Sequence, residues 1–186
     1  DAALIQRVAR QAPMNEAKLR RALSDPPGVF NNFSREKERG LAWLKLGLAQ
    51  LLGEDDAVLL GLAGMLAPAG VGHLLRVCLI AETRWRAKAA AAELKVDEKE
   101  ALNRLRRKDE PAFLLAEHLR RGDPWSGDHY DILIPMDKTT PDQAVRLILE
   151  HARGRQLRTT PDSLAAAADL ATAARVELAL LDKGHN

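Results

Sequence analysis

The sequence predicts an α/β protein, helix-rich, with a small parallel sheet flanked by helices. Three observations carry that expectation. Ala and Leu each occur 31 times in 186 residues, whereas Val and Ile together number 13 and aromatics make up 4%. Good helix formers thus dominate and strand formers are scarce, which excludes an all-β sandwich or barrel. Most of the chain spaces its apolar residues at helical intervals, but three short segments run continuously apolar between turn signals, as strands buried on both faces do. Those segments are separated by helices, the order that produces a parallel sheet.

In chain order, residues 2–11 (AALIQRVARQ) place Leu4, Ile5 and Val8 on one helical stripe. A second helix covers 14–24 and stops at Ser24-Asp25-Pro26-Pro27-Gly28, which cannot be helix interior. From about Arg35 to Leu52 a longer helix lines up Leu41, Leu44, Leu48 and Leu51 or Leu52, and Gly53-Glu54-Asp55-Asp56 ends it. Ala57 to Gly61 reads as the first buried strand, and the glycines from Gly61 to Gly72, with Pro68, form a loop or broken helix. Leu74–Ile80 is the second strand and Ala81–Glu93 a helix. Asp97 with Glu100 looks like a capping box that opens a long basic helix, which Pro111 must break or kink before a helical stretch to Arg121. After a turn-rich loop over 122–129, the third strand begins at Tyr130 and covers 130–134. Thr140-Pro141 and Thr160-Pro161 each place an N-cap before Pro at the first helical position, starting helices over VRLILEHA and over the Ala-rich tail. Arg153, Arg155 and Arg158 mark a basic linker over 153–160. A three-stranded sheet is small for so many helices, so a further strand is expected to be missing.

Net charge is +2 from 28 basic and 26 acidic side chains. That balance supplies no global field for steering onto nucleic acid or acidic lipid. Cys78 stands alone, which excludes an intramolecular disulfide framework and a Cys-based zinc cluster. His73, His118, His129, His151 and His185 are scattered without metal-ligand spacing, so no metal is expected. No apolar run approaches the ~18 residues of a membrane span. The opening DAALIQRVAR lacks the shape of a signal peptide. The expectation is a soluble, cytoplasmic protein.

Several segments, in order, resemble the cytidylate kinase-like family of P-loop nucleoside monophosphate kinases. DAALIQRVA is similar to the family's "yDreiIeevA". AVLLGLAG (57–64) looks like its strand and glycine turn, and HLLRVCLIAETRWR (73–86) like its "vlhVfIvAPlekR". DEKEALNRLRRKDE (97–110) is similar to the segment ending in a basic–Asp pair, and PWSGDHYDILIPMDKTTPDQAVRLILE (124–150) to "w.dp..YDLvINtdrls.eeAvdlI". The resemblance covers residues 1–152 and implies a nucleoside monophosphate kinase-like α/β fold. Residues 161–186 resemble the opening helix of a BON domain, a module that some bacterial proteins join to this one.

Phosphoryl transfer in such a fold needs backbone amides and a Lys around the phosphates, with arginines on the transferring group. Residues 1–186 contain no G-x-x-x-x-G-K-[ST] motif; Gly61-Leu62-Ala63-Gly64 and Gly70-Val71-Gly72-His73 lack both the Lys and the hydroxyl. The resemblance implies that Arg86 matches the arginine at the start of the lid helix and that Lys108-Asp109 matches the basic–Asp pair. The arginines expected beyond that pair are replaced by Pro111, Ala112 and Phe113, which cannot clamp phosphate in bidentate fashion. Leu62 stands where relatives carry Arg, and Pro135 where they carry Asn.

The resulting expectation is a degenerate, pseudokinase-like domain that binds nucleotide (CMP or ATP) or acts as a regulatory or interaction module. Its nucleotide- or phosphate-binding candidates are Arg86, Arg104, Arg107, Lys108 and Asp109. Arg104 and Lys108, four residues apart, share a helix face. One alternative is an active ATP- and Mg-dependent CMP kinase whose P-loop lies upstream of Asp1. Another is a structural domain that associates with itself or a protein partner through its Leu- and Ala-rich helices. Cys78 reads as an inert core thiol, and Asp131 as a cap for backbone donors rather than a base.

Overall fold

Seven α-helices and two strands form among residues 1–25, 31–54 and 57–183, which a computed structural model describes. Pro26, Pro27, Gly28, Asp55, Asp56 and His185 lie outside the described residues. The chain divides into two units, one built from residues 1–74 with 158–186 and the other from 75–157.

In the first unit α1 (Ala2–Ala9) buries Leu4, Ile5 and Val8, the stripe read from the sequence. Helix α2 (Glu16–Ser24) is capped by Asn15, whose side chain accepts the Lys18 amide at 3.0 Å. Both pack on α3 (Asn31–Leu52), which buries Leu41, Leu44, Leu48 and Leu52. The last helix, α7 (Pro161–Asp182), packs most extensively on α3. It runs antiparallel to α3, because Arg39 pairs with Asp182 at 3.0 Å and Lys45 with Glu177 at 2.8 Å. Its start is a full capping box between Thr160 and Ser163. Ser163, Ala167 and Ala174 form its buried face, and small side chains there let the two helices approach closely.

In the second unit β1 (Val77–Ile80) pairs in parallel with β2 (Ile132–Pro135), Val77 opposite Ile132 and Ile80 opposite Pro135. Between them run α4 (Thr83–Leu94) and α5 (Glu98–His118), which pack on each other. Lys95, at φ 54, closes α4 with a left-handed cap, and Asp97 opens α5 by accepting the Glu100 amide at 2.8 Å. After β2, α6 (Pro141–Ala152) begins with the capping box of Thr140 and Gln143. The two-stranded parallel sheet flanked by helices is the helix-rich α/β class that composition and order imply.

One expectation is corrected and another is narrowed. Ala57–Gly61 is not a strand: no ladder forms there, and Val58 and Leu60 are 98% and 85% exposed. The Asp1 nitrogen donates to the Leu60 carbonyl, and Gly61 turns the chain at φ 128 into a short 3-10 turn, Leu62–Leu66. A short apolar run carries no period that separates strand from loop. Pro111 does not break its helix, and α5 continues unbroken to His118. Proline removes one amide there and leaves the Arg107 carbonyl without it. Arg107 is exposed, so water can serve that carbonyl, while buried Ala101, Ala112, Leu115 and Ala116 hold the helix on both sides. The other two strands form but start later than 74 and 130, and at Arg76 the Asp131 carboxylate accepts the amide in place of a ladder partner.

Gly47 faces α1 closely enough that an added Cβ would sit 2.3 Å from Val8 Cγ2. Alanine is ordinarily better than glycine in a helix by about 1 kcal/mol. Overlap of this size outweighs that gain, so Gly47→Ala is expected to lose about 1–3 kcal/mol in urea unfolding followed by circular dichroism. Gly72→Ala, where nothing lies within 4 Å, is the control and should stay within about 0.5 kcal/mol of the parent.

Candidate functional site

Helix α4 begins three residues after β1 ends, so its opening turn lies at the carboxyl edge of the sheet, where open α/β sheets take their ligands. Arg86 sits in that turn. Its guanidinium donates from Nη1 to Asp109 Oδ2 at 2.7 Å and from Nη2 to Asp109 Oδ1 at 2.8 Å. The pair is a two-pronged fork joining α4 to α5, with side chains 29% and 22% exposed. Its hydrogen bonds raise the pKa of Arg86 further, against the opposing effect of burial.

The other candidates do not converge on that fork. Arg104 donates from Nε to Glu100 Oε1 at 2.8 Å, one turn back on the same helix. Arg107 and Lys108 are exposed and take no side-chain partner among the described residues. An α-helix turns about 100° per residue. Lys108 is therefore offset from Asp109 by that angle and shares its face with Arg104. Arg106, three residues before Asp109, and Phe113, four after, lie on Asp109's own side. Phe113 is 48% exposed and meets Trp125 edge to face at 6.1 Å. The fold thus joins Arg86 and Asp109, keeps Arg104 and Lys108 on a separate face, and adds Arg106, which the motif comparison passed over. The spacing of 106 to 109 was the available signal.

At the opposite end of the strands, Asp131 Oδ2 accepts the Arg76 amide at 2.6 Å, while the Asp131 and Ile132 amides donate to the Arg76 carbonyl at 2.9 and 3.1 Å. Asp131 is the backbone cap the sequence suggests. Burial of the Arg76 guanidinium lowers its pKa, with Asp131 opposing and Arg121 adding to the shift. Cys78 is buried, and its desolvation raises the thiol pKa against the influence of Tyr130, which suits an inert core residue. Tyr130 donates its hydroxyl to the Pro124 carbonyl at 2.8 Å.

The glycine turn belongs to the other unit. Asp1 Oδ2 accepts the Leu62 amide at 2.8 Å and Oδ1 the Ala63 amide at 2.9 Å, so a carboxylate already occupies the donors of that turn. A Cβ on Gly61 would lie 2.4 Å from that carboxylate, and its φ of 128 also demands glycine. In the same unit His73 Nε2 donates to the Leu52 carbonyl at 2.7 Å and Nδ1 meets Ser163 Oγ at 2.8 Å. Among the described residues no three His, Cys, Asp or Glu side chains gather as a metal site, and no helix is long and apolar enough to cross a membrane.

Sequence similarity gives the class as a nucleotide-kinase-related domain, here with a charged fork joining α4 to α5. The chain belongs to the cytidylate kinase-like family, whose sequence model matches residues 1–138. Among curated proteins and among solved structures, nothing matches the chain.

Tyr130 is the only tyrosine, so its ionisation can be followed alone in the ultraviolet. Burial first, and then the neighbouring Cys78, push its pKa up to about 12. The unfolded phenol ionises near ~10. Between these values the unfolded chain has lost a proton that the folded one keeps, so stability should fall as pH rises through that window. Spectrophotometric titration should give a midpoint near 12 for the folded protein, moving to the ordinary tyrosine value in denaturant.

Proposed function

We propose that this chain is a nucleotide-binding or regulatory module of kinase ancestry, and that residues 1–186 alone do not transfer phosphate. The observation that carries the reading is the state of the glycine turn. Gly61-Leu62-Ala63-Gly64 has neither Lys nor Ser/Thr, and its Leu62 and Ala63 amides are engaged by the Asp1 carboxylate instead of facing a ligand. Pro111, Ala112 and Phe113 supply none of the bidentate phosphate contacts that arginines make. What remains for an anion is Arg86 with Asp109, and the exposed cations Arg107 and Lys108 beside Arg104. A site held by side-chain charge without a backbone cradle binds weakly and loses affinity as salt rises.

A second reading is an active ATP- and Mg-dependent CMP kinase that takes its phosphate cradle from sequence upstream of Asp1. The bareness of Val58 and Leu60, and the 54% exposure of Leu79 on a sheet of only two described strands, favour it. Parallel strands are ordinarily covered on both faces and seldom occur as a pair.

Calorimetry with CMP, ATP and pyrophosphate at low and moderate salt tests the first reading. The expected dissociation constant is on the order of 0.1–1 mM, about 4–5.5 kcal/mol, and should weaken in salt and in Arg86→Ala. No heat with any of the three would remove it. CMP-dependent release of ADP from ATP by the 186-residue chain, lost in Arg86→Ala, would put the kinase reading in its place.

A further inference from the structure

Arg86 is the candidate cation nearest the carboxyl edge of the strands, and its two terminal nitrogens are already taken by Asp109. A carboxylate presents two oxygens to a guanidinium in much the way a phosphate does. We propose that Asp109 is an internal competitor at this site: a phosphate reaches Arg86 by displacing the Asp109 carboxylate from the guanidinium. The inference rests on the nucleotide-binding reading above and adds how that site is controlled.

Three features support an exchangeable rather than a permanently locked pair. The two side chains belong to different helices, Arg86 to α4 and Asp109 to α5, so a rotamer change parts them without unwinding either. Both keep about a quarter of their surface in water, so the released carboxylate is not stranded in the core. Arg106, one turn before Asp109 on the same side of α5, stands where it can receive the carboxylate. Displacement is then an exchange of ion pairs rather than the loss of one. If an anion instead takes the Nε edge of Arg86, Asp109 stays within reach of the same cation and repels it. By either route Asp109 lowers anion affinity, and a dianionic or higher-charged phosphate competes better than a monoanion.

The test is calorimetric titration of pyrophosphate at low salt into the parent chain, Asp109→Asn, Asp109→Glu and the double variant Arg86→Ala/Asp109→Asn. Asp109→Asn, close in shape but uncharged, is expected to bind roughly tenfold more tightly than the parent, about 1.4 kcal/mol. Asp109→Glu keeps the charge and should stay near the parent, and the double variant should lose the gain. Circular dichroism confirms the helices in each, with Asp109→Ser as a second neutral variant if Asp109→Asn loses helix. A residue that merely staples α4 to α5 would behave differently: Asp109→Asn would melt lower and bind no better than the parent. Equal or weaker binding by both neutral variants, with the parent binding, overturns the competitor and leaves the nucleotide-binding reading standing. No binding by any chain overturns both.

Discussion

Close approach along α3 is the constraint on which the first unit depends. Gly40 and Gly47 lie two turns apart on one side of that helix, and an added Cβ would meet Ala22 at 2.6 Å or Val8 at 2.3 Å. The two glycines cost the helix roughly 1 kcal/mol each in propensity. In return α1 and α2 seat directly on α3, burying Leu4, Ile5, Val8, Leu19 and Leu23. Each such side chain contributes about 1.5–3 kcal/mol, so burial outweighs the glycine penalty. The position of α1 then determines where the residue before it falls: Asp1, at the N-cap position, meets the Gly61 turn and accepts the Leu62 and Ala63 amides. The state of the glycine turn therefore follows from the packing of α1, more than fifty residues earlier in sequence.

In the second unit electrostatics on one helical hairpin play the corresponding part. Arg86 with Asp109 and Arg104 with Glu100 each cancel locally. Arg106, Arg107 and Lys108 keep their charge in solvent. The hairpin is thus weakly positive in a chain of net charge +2, and attraction for anions is concentrated where pairing leaves cations free. Exposed pairs such as Arg104–Glu100 contribute little to stability, whereas the half-buried two-pronged fork restrains the hairpin more firmly. The sheet beneath it is finished by a side chain, since Asp131 supplies the acceptor for the Arg76 amide where the ladder would otherwise end.

Elements governed by neighbours in sequence were legible from the chain itself. The caps at Asp97, Thr140 and Thr160, the stripe of α1, the leucine ridge of α3 and the two strands that pair all follow from residues within a turn or two of one another. The order of the segments also carried the likeness to the cytidylate kinase-like family. Ala57–Gly61 misled because an apolar run of five residues becomes a strand only when another strand hydrogen-bonds to it. At Pro111 the local signal allowed a break or a kink, and packing around Ala112 and Leu115 keeps the helix from breaking. In the candidate site, motif matching selected Arg86 and Asp109 separately and gave no sign that each is the other's partner.

The sequence by itself determined the helix-rich α/β class, the capped helix starts at Asp97, Thr140 and Thr160 and the absence of a Lys-and-hydroxyl phosphate loop from residues 1–186, because composition, capping and motif chemistry are properties of short stretches of chain. Only the tertiary structure decided that α7 lies antiparallel on α3, that Asp1 occupies the glycine turn and that Asp109 occupies Arg86. Each of those contacts joins residues more than twenty positions apart. Its energy depends on distance, burial and the angle of approach between side chains, quantities that exist only once the helices have packed.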